Sequence, residues 1–179
     1  MEEHMNLKDT IRTIPDFPKP GIMFRDITTL MTNSAAFAES VDRIAAAYKD
    51  KGVDNVAGIE ARGFIFGAAI AHAMGAGFVP IRKKGKLPFK TYEQDYELEY
   101  GTDTIEIHAD TIRGQEKVLL VDDLIATGGT AEAAIHLLRK AGADIVGAAF
   151  VIDLPDLGGL ARITGMGVPV TALVAFDGH

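Results

Sequence analysis

Short apolar runs separated by helix-length segments constrain this fold more than any other feature of the chain. The runs are Asn55–Ile59, Gly77–Arg82, Lys117–Val121, Ile145–Ile152 and Val168–Phe176. They do not alternate apolar with polar residues, so each is expected as a strand covered on both faces. Between them lie a small-residue helix over Gly63–Met74, an amphipathic helix over Thr130–Ala141 and a short helix over Leu157–Gly165. Upstream, Asn33-Ser34 can cap a helix from about Ala35 to Lys51. It would carry Phe37, Val41, Ile44 and Ala45 on one face and end at Gly52. Strands alternating with helices give right-handed crossovers and a parallel sheet core flanked by helices, an α/β fold. With 179 residues and no linker, repeat or low-complexity stretch, one domain over 1–179 is expected. Ligands in such folds sit at the carboxyl ends of the strands.

Three segments fall outside that alternation. Leu7, Ile11 and Ile14 recur at helical spacing, which predicts a helix stopped by Pro15. Asp16–Gly21 reads DFPKPG, which predicts a fixed, exposed loop. Tyr96–His108 alternates around Gly101-Thr102 and predicts a β-hairpin.

Composition closes off several function classes. There is no cysteine, which excludes a disulfide scaffold, a thiolate metal site and a cysteine nucleophile. The net charge of −7 argues against binding to nucleic acid or to an anionic membrane. No run is long and apolar enough to span a bilayer, and the first residues lack a signal-peptide core. A cytoplasmic protein is expected.

The chemistry follows the strands. After Lys117–Val121 come Asp122-Asp123, then Ala126-Thr127-Gly128-Gly129-Thr130 opening a helix. Glycines let backbone N–H groups converge, threonines add hydroxyls, and the helix dipole favours an anion. This is a phosphate cradle with two carboxylates one step upstream, suited to sugar hydroxyls or to a metal through water. After Asn55–Ile59 come Glu60-Ala61-Arg62-Gly63, a second helix entry and a second anion site. After Gly77–Arg82, an acidic chain concentrates Arg82, Lys83, Lys84, Lys86 and Lys90, a basic loop suited to neutralising a polyphosphate. No GxxxxGK[ST] or dinucleotide fingerprint competes.

Val118–Thr130, VLLVDDLIATGGT, closely resembles the signature of the type I phosphoribosyltransferases. The resemblance implies that family's fold, with an N-terminal hood over about 1–33, a core over about 34–179 and a flexible β-hairpin loop. It implies that Asp122 and Asp123 meet the ribose hydroxyls of 5-phosphoribosyl 1-pyrophosphate and that Ala126–Thr130 hold its 5-phosphate. Glu60, Ala61 and Arg62 match the pyrophosphate loop, although many members carry Asp and Ser at the first two positions. Arg82 and Lys86 would join them.

Pro15–Leu30 is similar to the hood of the adenine-using members, where the backbone around Met23 and Arg25 would read the purine edge and Phe24 would touch its ring. LEYG at Leu98–Gly101 is similar to their flexible loop, which makes Glu99 the candidate for proton handling at the base. The hydroxyls of Tyr92, Tyr96 and Tyr100 stand behind it. Leu154, in IDLPDLGG, would close the apolar side of the base pocket. The implied reaction transfers the phosphoribosyl group to adenine, giving AMP and pyrophosphate, with Mg²⁺ held mainly by substrate and water. A homodimer is implied. Two alternatives stay open: a transferase for xanthine, guanine or orotate, and a non-catalytic sensor of phosphoribosyl pyrophosphate. The second is disfavoured because about fourteen residues before Pro15 are too few for a DNA-binding module.

Overall fold

The computed structural model of the chain describes residues 4–98 and 100–178. A 3-10 turn at Leu7–Thr10 leads into β1 (Arg12–Pro15) and β2 (Met23–Asp26), then α1 (Thr28–Met31) and α2 (Ser34–Tyr48). Next come β3 (Asn55–Ile59), α3 (Arg62–Met74) and β4 (Gly77–Lys83), followed by β5 (Thr91–Glu97) and β6 (Thr102–His108). β7 (Lys117–Ile125), α4 (Gly129–Lys140), β8 (Asp144–Asp153), a 3-10 turn at Pro155–Leu157, α5 (Gly159–Thr164) and β9 (Val170–Ala175) complete the order.

The main sheet runs β5-β6-β4-β3-β7-β8-β9. From β4 to β9 every pairing is parallel, and the β5–β6 hairpin is added antiparallel on the β4 edge. Its faces bury two cores. On one, Val79, Val118, Leu120 and Phe150 pack with Ala134, Leu137 and Leu138 of α4. On the other, Val56, Leu119 and Val121 pack with Ile44 of α2 and Phe66 and Ile70 of α3. Each Val, Leu, Ile or Phe among them is worth about 1.5–3 kcal/mol on burial. α3 lies unusually close to the sheet because a Cβ at Gly58 would sit 2.7 Å from the Gly63 carbonyl oxygen and 2.8 Å from the Phe78 ring. That approach fixes where α3 begins, and so where Arg62 stands.

The N-terminal segment departs from the expected helix. Only one 3-10 turn forms, and the chain then extends as β1, with Ile14 opposite Phe24 and Thr13 opposite Arg25. Thr13 and Ile14 are β-branched and favour a strand. Leu7 and Ile11 still bury, in the α2–α3 core. β1 and β2 form a two-stranded sheet apart from the main one, with the DFPKPG loop between them.

β7 also runs further than the apolar run implied, through Asp122-Asp123 to Ile125, because β8 keeps pairing with it: Asp122 lies opposite Phe150 and Ile125 opposite Asp153. β3 stops pairing at Val121. The acidic pair therefore sits in strand geometry on an edge that has just lost a neighbour. The alternation shifts there too: Leu119 and Val121 face the α2–α3 core, whereas Ile125 joins the opposite one.

Candidate active site

Beyond the end of β3 the sheet opens into a cleft of about 230 Å³. Its lining includes Arg62, Asp122, Asp123 and the whole turn Ala126–Thr130. Two segments far apart in sequence thus face one hollow. α3 begins at Arg62 with Ala61 as its N-cap, and α4 begins at Gly129 with Gly128 as its N-cap. Neither helix has a side-chain cap; the Ala61 carbonyl takes the Phe64 N–H at 3.1 Å, and the N–H groups ahead of it in such a helix start suit an anion.

The Ala126–Thr130 turn is held from outside. Gly128 has φ +85°, and Gly159 donates its N–H to the Ala126 carbonyl at 3.0 Å. A Cβ on Gly159 would lie 2.9 Å from the Gly128 nitrogen and 2.7 Å from Ile125, and a Cβ on Gly128 would lie 3.0 Å from the Gly159 Cα. Gly129 differs: a Cβ there meets nothing nearer than 3.8 Å. Arg162 of α5 donates to Glu132 in the first turn of α4 and, at 3.4 Å, to the Thr127 carbonyl. Sequence reasoning does not reach Gly159 or Arg162. The LPDLGG glycines were a usable signal for the first, but nothing local flags the second.

The two aspartates have different surroundings. Asp123 accepts a hydrogen bond from Arg62 Nε at 2.5 Å, and this bond, then the carboxylate's charge, raises the Arg62 pKa. Asp122 Oδ1 accepts from the Asp123 backbone N–H at 2.8 Å. Burial pushes the Asp122 carboxyl well above the usual range, and the charge on Asp123 pushes the same way.

Arg62 also borders a second, mostly apolar hollow of about 250 Å³ with Met23, Phe24, Arg25, Asp123, Leu124, Leu154 and Leu157. Among the described residues β2 pairs with β1 alone, and its Met23, Phe24 and Arg25 line this hollow. Phe24 stands edge-on to Phe17, with ring centroids 5.1 Å apart. The Arg25 guanidinium bonds Thr13 at 2.7 Å and the Asp177 carbonyl at 3.3 Å, and stacks over Phe176 at 4.4 Å. Its side chain thus ties β2 to the segment that follows β9.

Glu60 is placed differently from an anion ligand. Its carboxylate accepts the Lys83 N–H at 3.0 Å and the Lys86 ammonium, with Arg82 Nε 3.4 Å away. Burial pushes its pKa up, but Lys86 and the Lys83 N–H outweigh this and hold it below the ordinary range. Arg82 and Lys86 are therefore gathered on Glu60, while Ala61 caps α3. Glu99 lies outside the described residues. Those residues hold no cluster of three carboxylate, histidine or cysteine groups able to bind a metal, and no helix among them is long and apolar enough to cross a membrane.

Residues 29–162 match the family model described as the phosphoribosyl transferase domain. A curated relative from Maricaulis maris (strain MCS10), named adenine phosphoribosyltransferase, is 62% identical over 174 residues, 97% of this chain and 99% of the relative. The crystal structure of adenine phosphoribosyltransferase from Rhodothermus marinus is 48% identical with a TM-score of 0.89, covering 95% of this chain and 96% of that one. The Saccharomyces cerevisiae adenine phosphoribosyltransferase, solved with an imino-altritol bisphosphate and adenine, is 38% identical with a TM-score of 0.87, over 94% of this chain and 96% of that one.

Proposed function

The chain belongs to the phosphoribosyl transferase family, and from that premise we propose that it moves the 5-phosphoribosyl group of 5-phosphoribosyl 1-pyrophosphate onto adenine, releasing AMP and pyrophosphate. The observation that carries this reading is the meeting of three subsites around Arg62. The phosphate turn and acidic pair lie on one side, the apolar hollow under the hood on the other, and the basic loop beyond Glu60.

Each subsite has a defined task. Backbone N–H groups of Thr127–Thr130 hold the 5-phosphate at the α4 N-terminus. Asp122 and Asp123 accept the ribose hydroxyls. Phe24 and Leu154 sandwich the base, and the free edge of β2 around Met23 and Arg25 presents donors and acceptors to its polar rim. Arg62, Arg82 and Lys86 neutralise charge on the departing pyrophosphate as the sugar gains oxocarbenium character. Glu99 handles the proton at the base. The β5–β6 hairpin shields the reactive sugar from water.

The donor set suits Mg²⁺ that arrives with the substrate. Two adjacent carboxylates open to the cleft are the protein share such an ion commonly takes, with phosphates and waters completing its shell. When bound, the ion supplies further charge neutralisation to the leaving pyrophosphate. We place the enzyme in the cytoplasm as a homodimer, which sedimentation would check.

The decisive assay offers adenine, guanine, hypoxanthine and orotate with phosphoribosyl pyrophosphate and Mg²⁺, and measures pyrophosphate release. Release with adenine alone is expected. Release with another base and not with adenine would overturn the acceptor. No release with any base, but saturable binding of phosphoribosyl pyrophosphate, would make the chain a sensor.

A further inference from the structure

We propose that Glu60 is a built-in counterion that competes with pyrophosphate for Arg82 and Lys86, so that its carboxylate sets how tightly pyrophosphate is held. This rests on the pyrophosphate subsite proposed above and deepens it.

The basic loop is not an open cationic surface. Lys83 pairs with Asp103, Lys84 with Glu93, and Lys86 with Glu60, while Arg82 faces Glu60. These pairs divide into two kinds. Asp103 and Glu93 belong to the hairpin itself, so their partners fasten the loop to β5 and β6. Glu60 lies in the turn that enters α3, and its pairs cross from one anion-binding segment to another.

Electrostatics then fixes what Glu60 can do. A carboxylate held ionised, as Lys86 holds this one, repels a phosphate oxygen and cannot donate to it. Yet it stands at the mouth of an uncapped helix N-terminus, where an anion is favoured. Its two oxygens gather a backbone N–H, an ammonium and a guanidinium, the set of donors a bound phosphoryl group would collect. It stands in for the anion.

The substitute is imperfect. Arg82 Nε is buried, and although it lies 3.4 Å from Glu60 Oε1 it makes no hydrogen bond. A buried donor without an acceptor is costly. Pyrophosphate offers more oxygens than one carboxylate and would satisfy it. Binding is therefore an exchange: pyrophosphate takes Arg82 and Lys86, and Glu60 is released from them. On departure Glu60 recaptures both cations, which favours loss of the product. The identity of this residue thus tunes product affinity.

The test is calorimetric titration of the full chain with inorganic pyrophosphate in Mg²⁺, and separately with ribose 5-phosphate. Glu60→Gln should bind pyrophosphate about three- to tenfold more tightly, the worth of two partly exposed ion pairs. Ribose 5-phosphate affinity should not move. In the Lys86→Gln background the gain from Glu60→Gln should shrink, since one contested cation is gone. Equal or weaker pyrophosphate binding by Glu60→Gln, with the wild type binding normally, overturns the proposal: Glu60 would then be organising the cations. Should Glu60→Gln fail to fold, Glu60→Asp withdraws the carboxylate by one methylene, and the same tightening or its absence decides. A wild type that binds ribose 5-phosphate but no pyrophosphate removes the subsite itself.

Discussion

Arg62 and Asp123 are 61 residues apart in the chain and joined by a hydrogen bond from Nε to Oδ2 of 2.5 Å. The bond ties the first turn of α3 to the open end of β7. Asp123 is buried while the Arg62 side chain is half exposed, so the carboxylate is fixed and the guanidinium can swing toward a ligand. The start of α3 and the end of β7 are one electrostatic unit.

That unit makes Asp122 and Asp123 unequal. Replacing both with Asn should weaken phosphoribosyl pyrophosphate binding, each charged hydrogen bond to a ribose hydroxyl being worth ~1.5–3 kcal/mol. Asp122→Asn alone should also raise the melting temperature at neutral pH. The folded-state pKa of Asp122 is raised, so the folded protein binds the proton more readily than the unfolded chain. Stability is then fullest below the ordinary carboxylate range and declines as pH rises toward the folded pKa. Asn escapes that decline. Melting curves at pH 7 and pH 4 should show the variant's advantage at the first and not at the second.

The adjacent glycines 128 and 129 should fail in different ways when replaced. Gly128→Ala puts a side chain at φ +85° against Gly159, so it should lower stability by about 1 kcal/mol or more along with activity. A Cβ at Gly129 meets no protein atom nearer than 3.8 Å, so the fold of Gly129→Ala should survive and phosphoribosyl pyrophosphate binding should be lost to contact with the 5-phosphate. Thermal melts beside ligand titration separate the two.

Glu99→Gln should bind both substrates nearly normally and turn over about 10²–10⁴-fold more slowly, as expected for loss of a positioned acid or base. Glu97, the last residue of β5 and exposed, supplies the control. A loss in kcat below about threefold would leave Glu99 without a proton-transfer role, and a loss confined to KM would assign it to binding. A larger loss at Glu97 would transfer the role there.

The hood carries an acid-sensitive latch. Hydrogen bonds from Thr28, then from Arg12, hold the Asp26 pKa at about 2, down from 3.8. A depressed folded pKa contributes stability that is present above the unfolded value and lost as pH falls toward the folded one. Asp26→Asn should therefore melt lower than wild type at pH 7 and draw level near pH 2, in the same melting series.

Much of the site was legible because each piece is contiguous. A strand, its turn and the following helix start all lie within Val118–Thr130, so spacing alone put the glycine turn beside two carboxylates. What spacing could not show is which charges meet. Nothing in the basic run marks Lys86 as the partner of Glu60, or Arg62 as the partner of Asp123, because long side chains choose among neighbours only once the sheet order is set. The segment at Leu7–Ile14 misled for another reason. Apolar residues three and four apart satisfy a helix, but they are equally served by one turn followed by a strand. The pairing offered by Phe24 and Arg25 decided the outcome.

The facing glycines, 128 and 159, carry a consequence for exchange of parts between related proteins. The contour of the Ala126–Thr130 loop is written partly in a segment some thirty residues later, where the absence of a methyl group makes the recess into which the loop settles. Transplanting that loop alone into another scaffold would move its letters without their mould. The portable piece is the loop together with the stretch from Leu154 to Arg162, and a chimera that divides the two should lose the recess even with every residue of the motif in place.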